Sequence, residues 1–384
     1  MSKIRVNRIE NNSTANGGID IDTSGHVKVD GLQMPTAGPL SGRNLIINGA
    51  MRVAQRATSV TGVADSTNEN YQTLDRFGFL FNGTLEGVCT ISQDTEVPAN
   101  QGFSNSYKVD VTTADTTLDS NHYTGIYYFT EAQDTRNSGW NYTSASSYLT
   151  ISFWVKSSKA GTYCWHARAH DGSASNYYYV FEYTLVANTW TKITHSIPGN
   201  SNLVFDDDTG AGLRLMWMLA AGSGKNDATA DQWGQSTTFQ ATSNQLNFFD
   251  STDNDFYLTG VQMEVGSKAT PFEHESYGQT LLKCQRYFQR TIISNALVAT
   301  STIVHGNYQL LTEMRVAPDV GLEGGIEIND NSSNITQSAA NINMFGTDTF
   351  KFIQLTDFVG LTQHRPCFMR FSSNQHRIKL DAEL

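Results

Sequence analysis

The first 42 residues restrict the fold of this chain more than any other part, because they carry too little apolar side chain to order themselves. Their apolar residues form alternating pairs separated by glycine turns: Ile4 and Val6, Ile19 and Ile21, Val27 and Val29. The segment has no Phe, Tyr or Trp. Full burial of a Val or Ile gains about 1.5–3 kcal/mol, whereas ordering one residue costs about 1–2 kcal/mol of backbone entropy. We therefore expect residues 1–42 either to be disordered or to interleave with other chains.

The alternating pattern favours interleaving. Period-2 alternation is typical of short strands with one apolar face, and the segment has no heptad repeat, which excludes a coiled coil. A small β-prism or an intertwined β-stalk built from several chains fits these strands. Residues 34–43, MPTAGPLSGR, contain two prolines and two glycines and mark the end of the segment.

The composition favours strands in the remainder of the chain. Charged residues make up 16% of the 384 residues, against about 25% in an average soluble domain. Ser, Thr, Asn and Gly take their place, and Ser, Thr and Asn compete with the helical backbone for hydrogen bonds. The 20 Phe, 16 Tyr and 6 Trp supply a substantial core. We predict a mainly β protein.

Residues 43–275 are predicted to form a jelly-roll β-sandwich. In residues 149–156, four apolar side chains alternate with Thr150, Ser152, Trp154 and Lys156, which indicates a strand with one buried face. Strands of this kind, separated by polar loops, are expected at 107–112, 124–129, 149–156, 162–169, 177–185, 189–197, 212–219 and 256–265. About eight strands at this spacing are typical of two packed antiparallel sheets.

One helix and a second β domain are predicted after the sandwich. Residues 276–290 place Tyr277, Leu281, Cys284 and Phe288 on one helical face, which predicts a short connecting helix. Residues 291–384 are predicted to form a smaller C-terminal β domain, with strands near 303, 308–311, 314–316, 325–328, 349–355 and 367–371.

Charge and cysteine content exclude several functional classes. The net charge is −11 and the basic residues are scattered, whereas a nucleic-acid partner requires a concentrated cationic face. The four widely spaced cysteines are expected to be buried thiols rather than zinc ligands or disulfides. No 18-residue apolar run and no apolar signal core occur, so we expect a soluble protein made in a cytoplasm, without membrane insertion.

No catalytic constellation stands out. The sequence has no GxSxG, no HExxH and no P-loop. His166 and His170 lie on one face of a predicted strand, but no third metal ligand is evident, and we interpret them as a surface histidine pair. We predict a protein that is not an enzyme, without catalytic residues.

Two acidic loops are candidates for metal sites. Calcium takes about six to eight oxygen ligands, and Asp250, Asp253 and Asp255, or the run Asp206, Asp207 and Asp208, could supply several. Neither has the regular spacing and glycine of a known calcium loop. No cofactor is expected, and calcium at Asp250, Asp253 and Asp255 is the alternative left open beside a solvated acidic turn.

Aromatic residues in polar loops are the candidate ligand contacts. Planar rings stack on the apolar faces of sugars, while amides and carboxylates hydrogen-bond the hydroxyls. On this basis the glycan-binding candidates are Trp140, Tyr142, Tyr178 and Trp233, all of which lie among Ser, Asn, Gly and Gln. Rings of this kind are also ordinary material for a sandwich core.

Several segments carry a resemblance to bacteriophage virion proteins. Residues 43–56 read RNLIINGAMRVAQR, residues 257–266 read YLTGVQMEVG, and TPFE at 270–273 and CQRYFQ at 284–289 follow. Together with IRVNRIE at 4–10, they resemble tail-fibre proteins, particularly those of marine and cyanobacterial phages. The resemblance covers most of residues 1–290 and fades beyond them. Asp75-Arg76-Phe77 also looks like a family element, interpreted as a strand-edge ion pair.

The resemblance implies a homotrimeric fibre on a phage tail, located in the virion, with a jelly roll similar to carbohydrate-binding modules. Its expected partners are copies of itself, other phage tail proteins and host surface polysaccharide. Two alternatives remain: an architectural virion component, such as a head decoration or fibre adaptor that binds no receptor, and a polysaccharide depolymerase.

Overall fold

The structure is a computed structural model. It describes residues 8–10, 18–21, 27–29, 32–33, 42–64, 71–83, 86–172, 176–291, 295–323, 326–329, 334–337, 342–346, 350–356, 358–371 and 377–384. The chain divides into two compact units, Met1–Glu275 and Ser276–Leu384.

Strands dominate the first unit. The described strands are β1 Arg8–Glu10, β2 Gly18–Ile21, β3 Val27–Val29, β4 Leu32–Gln33, β5 Ser59–Val63, β6 Phe77–Asn82, β7 Val88–Asp94, β8 Ser106–Thr113, β9 Tyr123–Glu131, β10 Tyr148–Ser157, β11 Gly161–Ala169, β12 Tyr177–Leu185, β13 Thr191–Pro198, β14 Ala211–Ala221, β15 Trp233–Gln235 and β16 Asp255–Val265. A short helix, α1 Ala132–Arg136, follows β9.

Twelve of these strands form a sandwich of two six-stranded antiparallel sheets. The first sheet has the order β13-β10-β16-β8-β7-β5, and the second has the order β15-β12-β11-β14-β9-β6. The predicted mainly β fold with a β-sandwich is confirmed. All eight strands predicted for this region are present, with ends within two residues of the predicted positions. Strands β5, β6, β7 and β15 were not predicted.

The core lies between the two sheets and is rich in aromatic rings. In β10, the inward side chains Leu149, Ile151, Phe153 and Val155 are fully buried, as the alternation predicted. The Phe153 ring of the first sheet lies 5.6 Å, centroid to centroid, from the Trp217 ring of the second sheet. Burial of rings and aliphatic side chains across this interface is the main stabilising contribution.

The first strands form a separate antiparallel sheet, in the order β1-β2-β3-β4. Ile9 pairs with Ile19, and Ile21 pairs with Val27. Paired residues, and residues two apart on a strand, share one face of a sheet. In the single chain, 59% of Ile9 is exposed, 42% of Ile19, 41% of Ile21 and 39% of Val27. Ile4, Val6 and residues 34–41 of the linker lie outside the described residues.

The second unit is also mainly β. Its described elements are α2 Tyr277–Gln285, β17 Phe288–Thr291, β18 Asn295–Thr300, β19 Ile303–Gln309, β20 Asp319–Glu323, β21 Ile326–Asn329, β22 Asn334–Gln337, β23 Ile342–Gly346, β24 Phe350–Leu355, β25 Pro366–Phe371 and β26 Arg377–Asp381. They form a three-stranded sheet, β17-β26-β20, and a seven-stranded sheet, β22-β21-β25-β18-β19-β24-β23. The strand predicted at 314–316 is wrong, because these residues form an irregular bend.

The predicted helix at 276–290 is correct at its start and too long at its end. Ser276 and Gln279 form a capping box at the N-terminus of α2. The helix ends at Gln285, and Phe288, which the helical spacing puts on the same face as Tyr277, begins strand β17 and pairs with Asp381 of β26. Pairing with a distant strand overrides the local helical periodicity here.

All four cysteines are buried thiols that form no disulfide, as predicted. Among the described residues, no helix is long and apolar enough to cross a membrane.

Candidate functional site

A cleft of about 410 Å³ opens on the outer face of the first sheet. Its volume is within the range of about 300–1,000 Å³ that is typical of small-ligand pockets. Besides residues 269–271, the lining consists of three polar and four aromatic side chains: Asn100, Gln101, Lys192, Phe103, Trp154, Phe272 and His274. The cleft combines partly exposed rings with amide and ammonium groups, and we take it as the candidate site.

Strand alternation directs Trp154 into this cleft. Its neighbours Phe153 and Val155 are fully buried in the sandwich core, so the indole points to the opposite face. Lys192 lies directly opposite Trp154 on the adjacent strand β13 and is exposed.

A glycine in β16 makes room for the rings. The pairing of β10 with β16 shifts register between Ser152 and Trp154, which marks a β-bulge. Gly260 lies at this bulge with φ +62°, and a Cβ atom there would lie 2.6 Å from Cζ of Phe103 and 3.0 Å from Cδ1 of Trp154. The left-handed backbone and the close rings therefore both require glycine.

Three rings from two loops pack against one another beside Trp154, and both pairs that include Phe272 are edge to face. The Phe103 and Phe272 centroids are 5.0 Å apart at an interplanar angle of 73°. His274 lies 5.2 Å from Phe103 and 4.9 Å from Phe272. Contacts of this geometry stabilise the ring positions, and Phe103 and Phe272 remain partly exposed.

The loop that carries Phe272 is tied to the sheet by a buried carboxylate. The Glu264 oxygens accept hydrogen bonds from the Thr270 backbone N–H at 2.8 Å and the Thr270 hydroxyl at 2.7 Å. The Arg43 guanidinium lies 3.6 Å from the same carboxylate, which compensates its buried charge.

A second carboxylate anchors the end of this loop. Glu273 accepts backbone N–H hydrogen bonds from Gly42 at 2.5 Å, Arg43 at 2.9 Å and Asn44 at 3.1 Å. Burial alone would raise the pKa of Glu273, but these hydrogen bonds and the charge of Arg43 lower it overall.

Three of the segments that carry the tail-fibre resemblance, residues 43–56, 257–266 and 270–273, contact one another beside the cleft. Asn44 accepts a hydrogen bond from the Met263 N–H at 3.0 Å and donates one to the Val261 carbonyl at 3.2 Å. The Val261 N–H donates to the Gly49 carbonyl at 2.9 Å. Residues 43–56 and 257–266 are therefore joined by backbone and amide hydrogen bonds, and they hold Gly260 and the 270–273 loop in place.

A second aromatic group lies on the same outer face, next to the cleft. Lys156 is two residues beyond Trp154, about 7 Å along the strand. Its ammonium lies 2.8 Å from Glu96 Oε1 and 4.7 Å from the Tyr257 ring centroid. The Trp190 indole N–H also donates to Glu96, at 3.2 Å. The hydrogen bond from Lys156 lowers the pKa of Glu96.

Two of the four predicted glycan contacts are buried, which corrects the sequence prediction. Only 3% of Trp140 is exposed, and its ring packs against Phe205 while its indole N–H donates to the Ser147 carbonyl at 3.2 Å. Only 2% of Tyr178 is exposed, and its hydroxyl accepts a hydrogen bond from Gln240. Trp140 is covered by Phe205, and Tyr178, which lies within strand β12, is covered by Gln240, so neither ring presents a face to a ligand.

Tyr142 and Trp233 are partly exposed but lie away from the cleft lining. Tyr142 packs edge-on against Phe205, with centroids 5.0 Å apart. Trp233 contacts Tyr179, and its indole N–H donates to the Pro198 carbonyl at 2.7 Å. Both rings are packed against the core.

The three candidate calcium ligands do not converge. Asp250 forms an ion pair with Lys159, and Asp255 lies 3.0 Å from the Lys108 ammonium. Asp253 is exposed. In the described part of the chain, no three His, Cys, Asp or Glu side chains are grouped to hold a metal ion. Asp250 and Asp255 therefore each pair with a lysine instead of converging on one metal position.

The histidine prediction is wrong for His166. This residue is fully buried, with Nδ1 2.7 Å from the Gln240 carbonyl oxygen. Burial, together with the charge of Arg214, lowers its pKa well below the ordinary value. His170 is half-buried, and burial and Arg168 lower its pKa to about 4. Segment 236–242 covers this face of the second sheet, which the strand pattern alone did not reveal.

Asp75 and Arg76, the predicted strand-edge ion pair that holds the sandwich, are both fully buried. The Asp75 carboxylate accepts the Gln55 N–H at 2.9 Å and lies 3.9 Å from the Arg56 guanidinium. Arg76 donates to the Phe129 carbonyl at 2.6 Å. These contacts agree with the structural role predicted for the two charges.

Sequence reasoning missed the cleft residues, although one signal was present. Trp154 occupies an outward position in a strand whose other outward residues are Thr150, Ser152 and Lys156. A ring at an outward position adds apolar surface to that face of the sheet, which indicates a contact surface where further apolar side chains join it. Phe103 and Phe272 gave no comparable signal, because their loops meet only in the folded chain.

No protein-family model matches the sequence. No curated protein matches it either. The enzymatically active domain of tailspike protein 4 from bacteriophage CBA120 is 11% identical at a TM-score of 0.29, over 58% of this chain and 21% of that one. This chain therefore spans about a fifth of the tailspike chain.

Two solved structures from Clostridium thermocellum are similar at the same level. The family 11 carbohydrate-binding module of cellulase Lic26A-Cel5E is 12% identical at a TM-score of 0.27, over 53% of this chain and 99% of that one. The CBM22-1–GH10 modules of xylanase 10B, complexed with xylohexaose, are 12% identical at a TM-score of 0.27, over 57% of this chain and 30% of that one. Similarity at this level establishes neither a common function nor a common ligand.

Proposed function

We propose that this chain is a tail-fibre-type virion protein of a bacteriophage that binds host surface glycans through the cleft on its first sheet. The observation that supports the proposal most is the set of partly exposed rings of Trp154, Phe103 and Phe272, with Asn100 and Gln101 at the same cleft. Three of the segments that resemble tail-fibre proteins, residues 43–56, 257–266 and 270–273, support this cleft.

The chemistry of the cleft suits a sugar. A pyranose ring offers apolar C–H faces and a rim of hydroxyls, so it is recognised by flat rings and by amides that both donate and accept hydrogen bonds. Trp154 supplies the flat surface, and Asn100 and Gln101 supply the amides. The Phe103, Phe272 and His274 rings are positioned by their mutual contacts, so little side-chain entropy is lost when a ligand binds.

The proposed role is binding without hydrolysis. Glycoside hydrolysis uses two carboxyl groups that flank the scissile bond, and none of the residues that line the cleft is Asp or Glu. The proposal requires neither a metal ion nor another cofactor.

The N-terminal strands support self-association in this proposal. Four apolar side chains, Ile9, Ile19, Ile21 and Val27, are exposed on one face of their sheet in the single chain. Further copies that cover this face would bury it, and we propose a homotrimer attached to other tail proteins through this region. Three copies would also bind a glycan surface with higher avidity, because the second and third contacts become intramolecular.

A glycan array and a host-cell pull-down test the function. We expect the purified full chain to retain cells of a susceptible host and a subset of bacterial surface polysaccharides, and to release no reducing ends. Trp154→Ala should abolish retention, whereas Trp233→Ala, which alters a ring outside the cleft, should preserve it.

Three results would contradict parts of this proposal. Retention that depends on Trp233 rather than Trp154 would move the site elsewhere. Release of reducing ends would identify a depolymerase. No retention of cells or glycans by the intact trimer would identify an architectural component.

A further inference from the structure

The lysines of the first sheet differ in how their charges are compensated. Its six strands carry three lysines, Lys108, Lys156 and Lys192. The Lys108 ammonium lies 3.0 Å from Asp255, and the Lys156 ammonium lies 2.8 Å from Glu96. The charge of Asp255 and its hydrogen bond raise the pKa of Lys108, although burial opposes them. Two of the three lysines thus have a carboxylate partner within the protein.

Lys192 is the exception. It lines the cleft directly opposite Trp154, and its side chain is exposed. Across the described residues, no carboxylate forms an ion pair with it. Its ammonium is therefore available to a ligand that lies on the Trp154 indole.

The other residues that line the cleft also carry no negative charge. The titratable side chains that line the cleft are Lys192 and His274, and no lining residue carries a carboxylate. The chain as a whole has a net charge of −11. A cleft without acidic groups on such a chain attracts an anionic ligand more than the rest of the surface does.

From this contrast we propose that the cleft selects glycans that contain an acidic sugar, whose anionic group binds the Lys192 ammonium while the sugar ring lies on Trp154. The inference rests on the proposed glycan-binding function and specifies its ligand class. A lysine ammonium is a compact point charge that binds carboxylate, sulfate or phosphate oxygens. The shared chemistry is one negative charge next to a pyranose face.

The experiment uses the full chain on an array of bacterial surface polysaccharides, in which each uronic-acid polymer is printed beside its carboxyl-reduced neutral form. Sulfated and phosphorylated polymers are printed beside their desulfated and dephosphorylated forms. We expect the bound polymers to be acidic and their neutral forms to bind about tenfold or more weakly, as the loss of one charge-assisted hydrogen bond predicts. The pair that shows the difference identifies the anionic group.

Variants of Lys192 test the residue itself. Lys192→Met should weaken binding of the acidic polymer about tenfold and leave its neutral form unchanged, whereas Lys192→Arg should retain most of the binding. Lys225→Met is the matched control, because it removes the same charge from the loop between β14 and β15. We expect the control to bind as the unaltered protein does.

The outcomes separate the two proposals. Binding of neutral polymers that Trp154→Ala abolishes would uphold glycan binding and overturn the acidic-sugar inference. Equal loss from Lys192→Met and Lys225→Met would also overturn it, since only net charge would then matter. Absence of binding to every polymer would overturn the proposed function and this inference with it.

Discussion

Trp154 and Lys192 occupy opposite positions on β10 and β13, so a flat indole and an ammonium group point from the same sheet face into one cleft. Side chains directly opposite each other have Cβ atoms about 4.5–5.5 Å apart. A single sugar unit can therefore contact both. The predictions for glycan binding depend on this cross-strand pair.

Replacement of Trp154 should weaken glycan binding while the stability of the fold changes little. Trp154→Ala removes a partly exposed ring, and we expect glycan affinity to fall by about tenfold or more, as for a central aromatic contact, with little loss of stability. Trp140→Ala is the contrasting variant, because Trp140 is buried and its loss should cost about 3–5 kcal/mol of unfolding free energy. Isothermal titration with an array-identified glycan, and urea denaturation, measure the two effects. A Trp154→Ala protein that binds normally would contradict the site.

Alanine at position 260 should destabilise the fold more than alanine at Gly62, another glycine with a left-handed φ. Gly260→Ala places Cβ 2.6 Å from Phe103, so we expect it to add about 1–3 kcal/mol of overpacking cost. Gly62 has φ +70°, and a Cβ atom there would have no neighbouring atom within 4 Å, so Gly62→Ala should cost only about 1–2 kcal/mol for the left-handed backbone. Urea denaturation of both variants gives the difference. Equal costs would show that Phe103 does not pack on Gly260 in solution.

Glu273 should make stability depend on acidic pH. Its pKa is lowered in the folded chain, so its carboxylate stabilises the fold above the pKa of an unfolded glutamate, about 4.3. This contribution is lost as pH falls through the lower, folded-state pKa. We expect Glu273→Gln to lower the urea midpoint at pH 7 and to have little effect at the lowest pH at which the protein stays folded.

Glu86→Gln is the control for that experiment, because it removes the same charge from an exposed position, and we expect it to lower the urea midpoint at pH 7 less than Glu273→Gln does. A Glu273→Gln midpoint that differs from the unaltered protein by the same amount at all pH values would contradict the assignment. The change in the urea midpoint would then come from the altered shape of the side chain rather than from the loss of the Glu273 charge.

The exposed face of the N-terminal sheet should control oligomeric state. The double variant Ile19→Asp and Ile21→Asp places charges on the apolar face, and we expect a monomer by light scattering, as for a deletion of residues 1–42. Asp20→Asn, on the alternate face of the same strand β2, should preserve the oligomer. A truncated chain that remains a stable trimer would exclude the N-terminal region as the main association surface.

The amino-acid sequence by itself determined eight of the twelve sandwich strands and, in β10, which side chains face the core. Period-2 alternation placed β10 and β12 within one residue of their observed ends and put Trp154 on the outer face. This information is local, because a strand's two faces follow from its own residues. The same holds for the start of α2, where Ser276 and Gln279 supply the cap.

The tertiary structure alone decided which rings are accessible and which loops meet. Trp140 and Tyr178 have polar neighbours in sequence but lie under Phe205 and Gln240 in space, and Phe288 leaves the helical pattern because β26 pairs with it. Phe103 and Phe272 are far apart in the chain, and they join Trp154 because Glu264 and Glu273 hold one loop against the sheet. Burial and contact depend on long-range packing, which no short sequence window contains.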